Sequence, residues 1–311
     1  MMTKPLFFIL ILCSIVLQSC NTYKRSFGET FTRINIDNHN KLYRLDLSNQ
    51  NLKEAPLMLD ELVELRMLNL SGNTLLNLGK TLEIIPNPEQ LEVLILDSLG
   101  LKVVPESIIR FKNLKHLSLN SNPDIDLTKT ITAILQLPIE FLNIQHNNLV
   151  TLPSKIADIT TLNAINISHN RISNPEAFQF LGKLPKLNSL WLTYNDLHNL
   201  PKEIGLLTSL RNLYMEHNNL LSLPNSIANL NKVSSLHVGH NKFTHLPVQI
   251  TKMPRLMLLH INNCEIIEIS NDFSNTKYSL KGINLDNNKL SAKDKKQWSK
   301  EFSSFFMASF N

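Results

Sequence analysis

The sequence predicts an α/β solenoid of eleven stacked repeats, with a parallel β-sheet along a concave face and turns and short helices along a convex one. The first observation is periodicity. The pattern L-x-x-L-x-L-x-x-N-x-L begins at Leu42, Leu65, Leu91, Leu114, Ile139, Leu162, Leu187, Leu210, Val233, Leu256 and Leu280, so ten intervals cover 238 residues, mostly in steps of 23. The second is alternation. Within each repeat the L-x-L pair points inward while its neighbours point out, which makes one short strand, and stacking the repeats lays these strands side by side. The third is the placement of proline, as in Leu149-Val-Thr-Leu152-Pro153-Ser-Lys-Ile156 and Leu220-Leu-Ser-Leu223-Pro224-Asn-Ser-Ile227. Proline removes a backbone donor, ends the strand side and starts a tight turn or helical piece on the other.

Segments such as Leu187-Asn-Ser-Leu190-Trp-Leu192-Thr-Tyr-Asn195-Asp-Leu197 and Leu210-Arg-Asn-Leu213-Tyr-Met215-Glu-His-Asn218-Asn-Leu220 resemble the leucine-rich-repeat family. The L-x-x-L-P-x-x-I-x-x-L continuation resembles the subtype found in intracellular Ras-associated proteins and in many bacterial ones. The resemblance covers residues 42–290 and implies a right-handed horseshoe. Position nine is occupied by Gln50, Asn73, Leu99, Asn122, Asn147, Asn170, Asn195, Asn218, Asn241, Cys264 and Asn288. A buried amide there satisfies loop backbone groups of its own and the neighbouring repeat, forming a structural ladder with no binding role. Cys264 is a weak donor at this position, expected to be buried and inert. Leu99 cannot donate, which predicts an irregular loop or an ordered water near the third repeat.

Solenoid ends expose apolar faces and need covering. Residues 20–41 are expected to serve as a tether and N-terminal cap, since Phe31-Thr-Arg-Ile34-Asn-Ile36 alternates like a strand. Residues 291–311 are expected to form a C-terminal capping helix. Ser291-Ala-Lys-Asp294 resembles a capping box, and Trp298, Phe302, Phe305 and Phe306 follow at i, i+4, i+7 and i+8. A membrane-surface helix using Lys293, Lys295, Lys296 and Lys300 is the rival reading.

Residues 1–19 read as a signal peptide: Lys4, then an apolar run from Leu6 to Leu17 broken by Ser14. That run is too short to span a bilayer, which takes about 20 helical residues. Leu17-Gln18-Ser19-Cys20 resembles the lipobox of bacterial lipoproteins, with Gln18 unusual for the motif. The resemblance implies that Cys20 is lipidated and becomes the first mature residue, anchoring the protein in the bacterial cell envelope. The absence of acidic residues just after Cys20 points, in family terms, to the outer membrane.

The formal charge of +5 is too mild to argue for nucleic acid. Cys13 lies in the leader, so Cys20 and Cys264 alone remain and exclude a disulfide framework. C-x-x-C, H-E-x-x-H, G-x-G-x-x-G, G-x-x-x-x-G-K-[ST] and G-x-S-x-G are all absent, and no cofactor or enzymatic activity is expected.

In the leucine-rich-repeat family partners bind mainly to the concave sheet, so outward positions three, five, seven and eight matter. Position five carries Trp191, Tyr214, His237 and His260 on four consecutive repeats. Position eight carries His146, His169, Tyr194, His217 and His240, and position seven adds Glu216. The expected partner-binding set is Trp191, Tyr194, Tyr214, Glu216, His217, His237, His240 and His260, since large aromatics on an open face are typical interface anchors. Histidine just before the ladder Asn is common in the family, which gives that column a structural reading as well. No metal is expected, although His237 and His260 with Glu216 or His217 would make a zinc donor set if they converged, and histidine protonation near pH 6 would make binding pH-dependent. The expected function is that of a monomeric, lipid-anchored recognition or adhesion module for a protein ligand, or for a polysaccharide. The alternative is a structural envelope scaffold without a discrete ligand.

Overall fold

The computed structural model describes residues 29–34 and 41–311. The leader and Cys20 lie outside the described residues. The chain packs as two compact units, one ending at Leu142 and the other running from Asn143 to Asn311.

In the first unit, β1 (Arg44–Asp46), β2 (Met67–Asn69), β3 (Val93–Ile95) and β4 (His116–Ser118) pair in chain order, all parallel. β5 (Phe141–Asn143) falls at the division. In the second unit, β6 (Ala164–Asn166), β7 (Ser189–Trp191), β8 (Asn212–Tyr214), β9 (Ser235–His237), β10 (Leu258–His260), β11 (Gly282–Asn284) and β12 (Met307–Ser309) do the same. The register matches equivalent repeat positions, so Leu190, Leu213, Leu236, Leu259 and Ile283 align, all fully buried. This is the expected α/β solenoid of parallel strands.

Repeat length decides what covers the other side. Each 23-residue repeat carries a 3-10 turn, and in five of them it is five residues long and preceded by proline: Glu106–Arg110, Ser154–Asp158, Lys202–Leu206, Asn225–Asn229 and Val248–Lys252. The proline is extended, with ψ between 112° and 153°, and the isoleucine three residues later is buried. The repeats of 24 to 26 residues carry α-helices, α1 (Leu78–Glu83), α2 (Leu127–Ile134), α3 (Pro175–Gly182) and α4 (Asp272–Asn275), and the 26-residue repeat keeps a 3-10 turn at Pro88–Gln90 as well. A 3-10 helix rises about 2.0 Å per residue against 1.5 Å for an α-helix, so crossing the same distance in α form takes the extra residues. Asn77, Asp126 and Asn174 cap the first three helices by accepting a backbone N–H of the first turn.

The ladder forms as expected. Asn218 Nδ2 donates to the carbonyls of Leu192, Met215 and Glu216, and its Oδ1 accepts from the N–H groups of Asn195 and Leu197. Cys264 is buried and copies part of this pattern, its Sγ lying 3.7 Å from Val238 O and 3.6 Å from Asn262 O. Burial pushes its thiol up to about 11, so it stays protonated. Two ladder positions differ from expectation. Gln50 is exposed and donates to Thr32 O. The third-repeat loop is regular, because Asn122 Oδ1 still accepts from the N–H groups of Leu99 and Leu101. In the second repeat Leu76 N–H donates to Asn73 O, as Ile125 N–H does to Asn122 O in the fourth.

Both ends are covered. Phe31 bridges to Leu45, donating to Arg44 O and accepting from Asp46 N–H, while Asn35 and Ile36 lie outside the described residues. At the far end α5 (Ala292–Glu301) starts at Ser291, whose Oγ accepts the Asp294 N–H at 3.1 Å. Trp298 and Phe302 are 2% and 1% exposed and close the core. The helix stops at Glu301, short of the expected run through Phe305 and Phe306, and the chain adds β12 to the sheet. Phe306 instead places its ring over Gly282, where a Cβ would lie 2.6 Å from Phe306 Cζ. A backbone pairing partner for the otherwise open edge of β11 outweighs two more helical residues.

Candidate functional site

All eight residues of the expected partner-binding set line one hollow of about 390 Å³ on the open face of the second unit's sheet, with Thr193 and Asn262. Two rails of rings border it.

The first rail is position five. Trp191 and Tyr214 are in register on β7 and β8, with centroids 5.2 Å apart and planes within 1°. Tyr214 meets His237 at 4.6 Å, and His237 meets His260 at 4.4 Å. Strands about 4.8 Å apart carry flat side chains at one repeat position, so ring stacking follows directly from register. The stack leaves Trp191 and Tyr214 half-buried, less exposed than the alternation alone predicts. Burial, with a smaller contribution from Glu216, raises the Tyr214 phenol, so it remains a neutral donor.

The second rail is position eight. His146, His169, Tyr194, His217 and His240 stack in sequence at 4.0, 4.3, 4.2 and 4.0 Å. At this position the backbone is left-handed in all eleven repeats, with φ between +53° and +74°. Asn, Asp and His tolerate that region better than other side chains, which gives the histidines a conformational reason to be there. Tyr194, at φ +55° and 44% exposed, has no such reason.

Position seven forms the floor, with Thr193, Glu216, Gly239 and Asn262. Glu216 Oε1 lies 3.4 Å from His237 Nδ1, whose Nε2 is 2.8 Å from Ser235 Oγ. Glu216 Oε2 is buried with no hydrogen-bond partner among the described residues. Burial lowers His260 to about 4, with His237 adding to the effect. It also lowers His217 and His169, so these rings are neutral near pH 7. The histidine rings face one another rather than converging their nitrogens, and among the described residues no three His, Cys, Asp or Glu side chains group as a metal requires.

Sequence reasoning passed over Thr193 and Asn262, whose signal was their place in the same column as Glu216. It also left open how the two rails close around one carboxylate.

Residues 166–284 match the family model for a leucine-rich repeat region. That stretch carries the pattern of leucine-rich repeats. Among solved structures the fold is similar to that in the crystal structure of a TLR13–ssRNA13 complex, at 21% identity and a TM-score of 0.70, covering 88% of this chain and 39% of that one. It is also similar to an internalin from Listeria monocytogenes, at 20% identity and a TM-score of 0.57, covering 84% and 75%. At such identities the likeness is one of leucine-rich-repeat fold alone. Among curated proteins, an adenylate cyclase of Schizosaccharomyces pombe is 31% identical over 168 residues, 53% of this chain and 10% of that protein. The chain therefore spans about a tenth of that relative's length.

Proposed function

We propose that this leucine-rich-repeat chain is a non-enzymatic recognition module that binds a protein ligand through the hollow between its two ring rails. The observation that carries the reading is the convergence of all eight partner-binding residues on one open surface. Leucine-rich repeats generally serve recognition, and an open sheet face lacks the enclosed pocket with an oriented nucleophile and base that catalysis needs. Aromatic rings around a desolvated polar centre are the composition of an interface hot spot.

In this reading Cys20 carries the lipid that holds the module in the bacterial cell envelope, at the outer membrane, acting as a monomer. Several acyl chains at about 0.8 kcal/mol per buried methylene make such an anchor effectively permanent. Replacing Cys20 with Ala then moves the protein from the detergent phase to the aqueous phase, and retention in the detergent phase defeats the anchor.

Photo-crosslinking tests the recognition surface. With p-benzoylphenylalanine at Tyr194, cells yield a discrete protein adduct; the same residue at Leu206, exposed on a 3-10 turn, yields none. An adduct at Leu206 alone, or at neither position, overturns the reading.

A further inference from the structure

We propose that the hollow takes an arginine side chain of the protein partner, its guanidinium lying between the ring stacks and pairing with the Glu216 carboxylate. The inference rests on the recognition reading above and specifies its chemistry.

Three observations meet at Glu216. Its carboxylate lines the hollow, yet Oε2 is removed from water with no hydrogen bond to replace the lost solvation. A buried carboxylate oxygen without a partner is costly, and a charged donor from outside removes that cost. The terminal torsion of a glutamate is soft, so a modest rotation presents both oxygens to a fork of donors. Secondly, among the described residues no lysine or arginine lines the hollow, and the one imidazole paired with the carboxylate, His237, faces Oε1 and leaves Oε2 without a partner. The neighbouring groups are His237 at 3.4 Å, Tyr214, His217 and His260. Burial favours the neutral form of Tyr214, His217 and His260, so none of these three competes with an incoming cation. Thirdly, Thr193 and Asn262 line the hollow beside the carboxylate and add side-chain acceptors, between two ring stacks that cover one another's faces, the Trp191–Tyr214 pair on one side and Tyr194–His217 on the other.

Arginine answers all three together. Its planar guanidinium meets a carboxylate with two parallel hydrogen bonds and has further N–H donors for Thr193 and Asn262, while the lysine ammonium is a compact and strongly hydrated charge that matches neither feature as well.

The test titrates the full chain with three blocked tripeptides, Gly-Arg-Gly, Gly-Lys-Gly and Gly-citrulline-Gly, by calorimetry or ligand-observed NMR. Citrulline keeps the shape and planarity of arginine without its charge. The arginine peptide binds at millimolar concentration or tighter, the lysine peptide several-fold more weakly, and the citrulline peptide at least tenfold more weakly. Glu216→Gln, nearly isosteric, removes the arginine preference. Equal binding of arginine and citrulline, or no arginine binding at millimolar concentration, overturns the inference without any variant having to fold. So does an unaltered preference in a folded Glu216→Gln chain, or binding of a neutral oligosaccharide in place of every peptide. These results leave the recognition reading standing if the Tyr194 crosslink forms, and an absent crosslink counts against that reading alone.

Discussion

Trp191 and Tyr214 lie on adjacent parallel strands with their rings 5.2 Å apart and coplanar in orientation to within 1°. Their placement follows from repeat register and their half-burial from the stack. One geometry therefore stiffens the sheet face and lines the hollow beside Glu216 with a continuous row of rings.

The lowered histidines predict a pH dependence of stability. His260 and His116 have folded-state values of about 4, both through burial, against an ordinary value near 6.5. The unfolded chain therefore takes up these protons first as pH falls. The stability from keeping the rings neutral is fully present above about pH 6.5 and is lost as pH falls towards about 4, at up to about 1.4 kcal/mol per pH unit for each ring. Thermal melts between pH 7.5 and 4.5 should show this decline, and His260→Phe should flatten it. A melting temperature independent of pH over that window contradicts the burial of these rings.

Cys264 stands where other repeats place an amide. Its contacts at 3.6 and 3.7 Å stand in for the Asn donors near 3.0 Å elsewhere in the ladder. Cys264→Asn should add stronger bonds to Val238 O and to the Asn241 and Phe243 N–H groups, raising stability by about 1 kcal/mol in denaturant melts. A destabilised variant indicates that the site is too tight for an amide.

The terminal strand should matter apart from the helix before it. Leu285 N–H donates to Ser309 O, Asn287 N–H to Asn311 O, and Asp286 Oδ1 accepts from Ser309 Oγ and Asn311 N–H. Removing residues 307–311 leaves Trp298 and Phe302 in place but opens the edge of β11. Stability should fall by about 2 kcal/mol, with concentration-dependent association through the bare edge. An unchanged melt shows that α5 alone closes the solenoid.

These elements differ in how legible they were. The repeat frame, the ladder and the proline turns are written locally, because each depends on residues within one repeat and recurs in phase. The exchange of 3-10 turns for α-helices in the longer repeats is equally local, since added residues have nowhere else to go. The end of α5 was not legible: the spacing of Trp298, Phe302, Phe305 and Phe306 suits a helix, and the competing choice depends on Gly282, some twenty residues earlier, leaving room for Phe306. At the site, register alone predicted which side chains meet. The orphaned Glu216 oxygen and the half-burial of Trp191 and Tyr214 arise from side-chain packing between repeats, which no single repeat encodes.

The double variant Trp191→Ala, Tyr214→Ala tests the central claim most directly, with binding measured to the protein crosslinked through position 194. Loss of the ring pair should lower stability by only about 0.5–1.5 kcal/mol beyond area terms, leaving a folded chain. Partner affinity should fall by 2 kcal/mol or more, roughly thirtyfold. Wild-type affinity in a folded double variant would contradict the assignment of this face as the recognition surface.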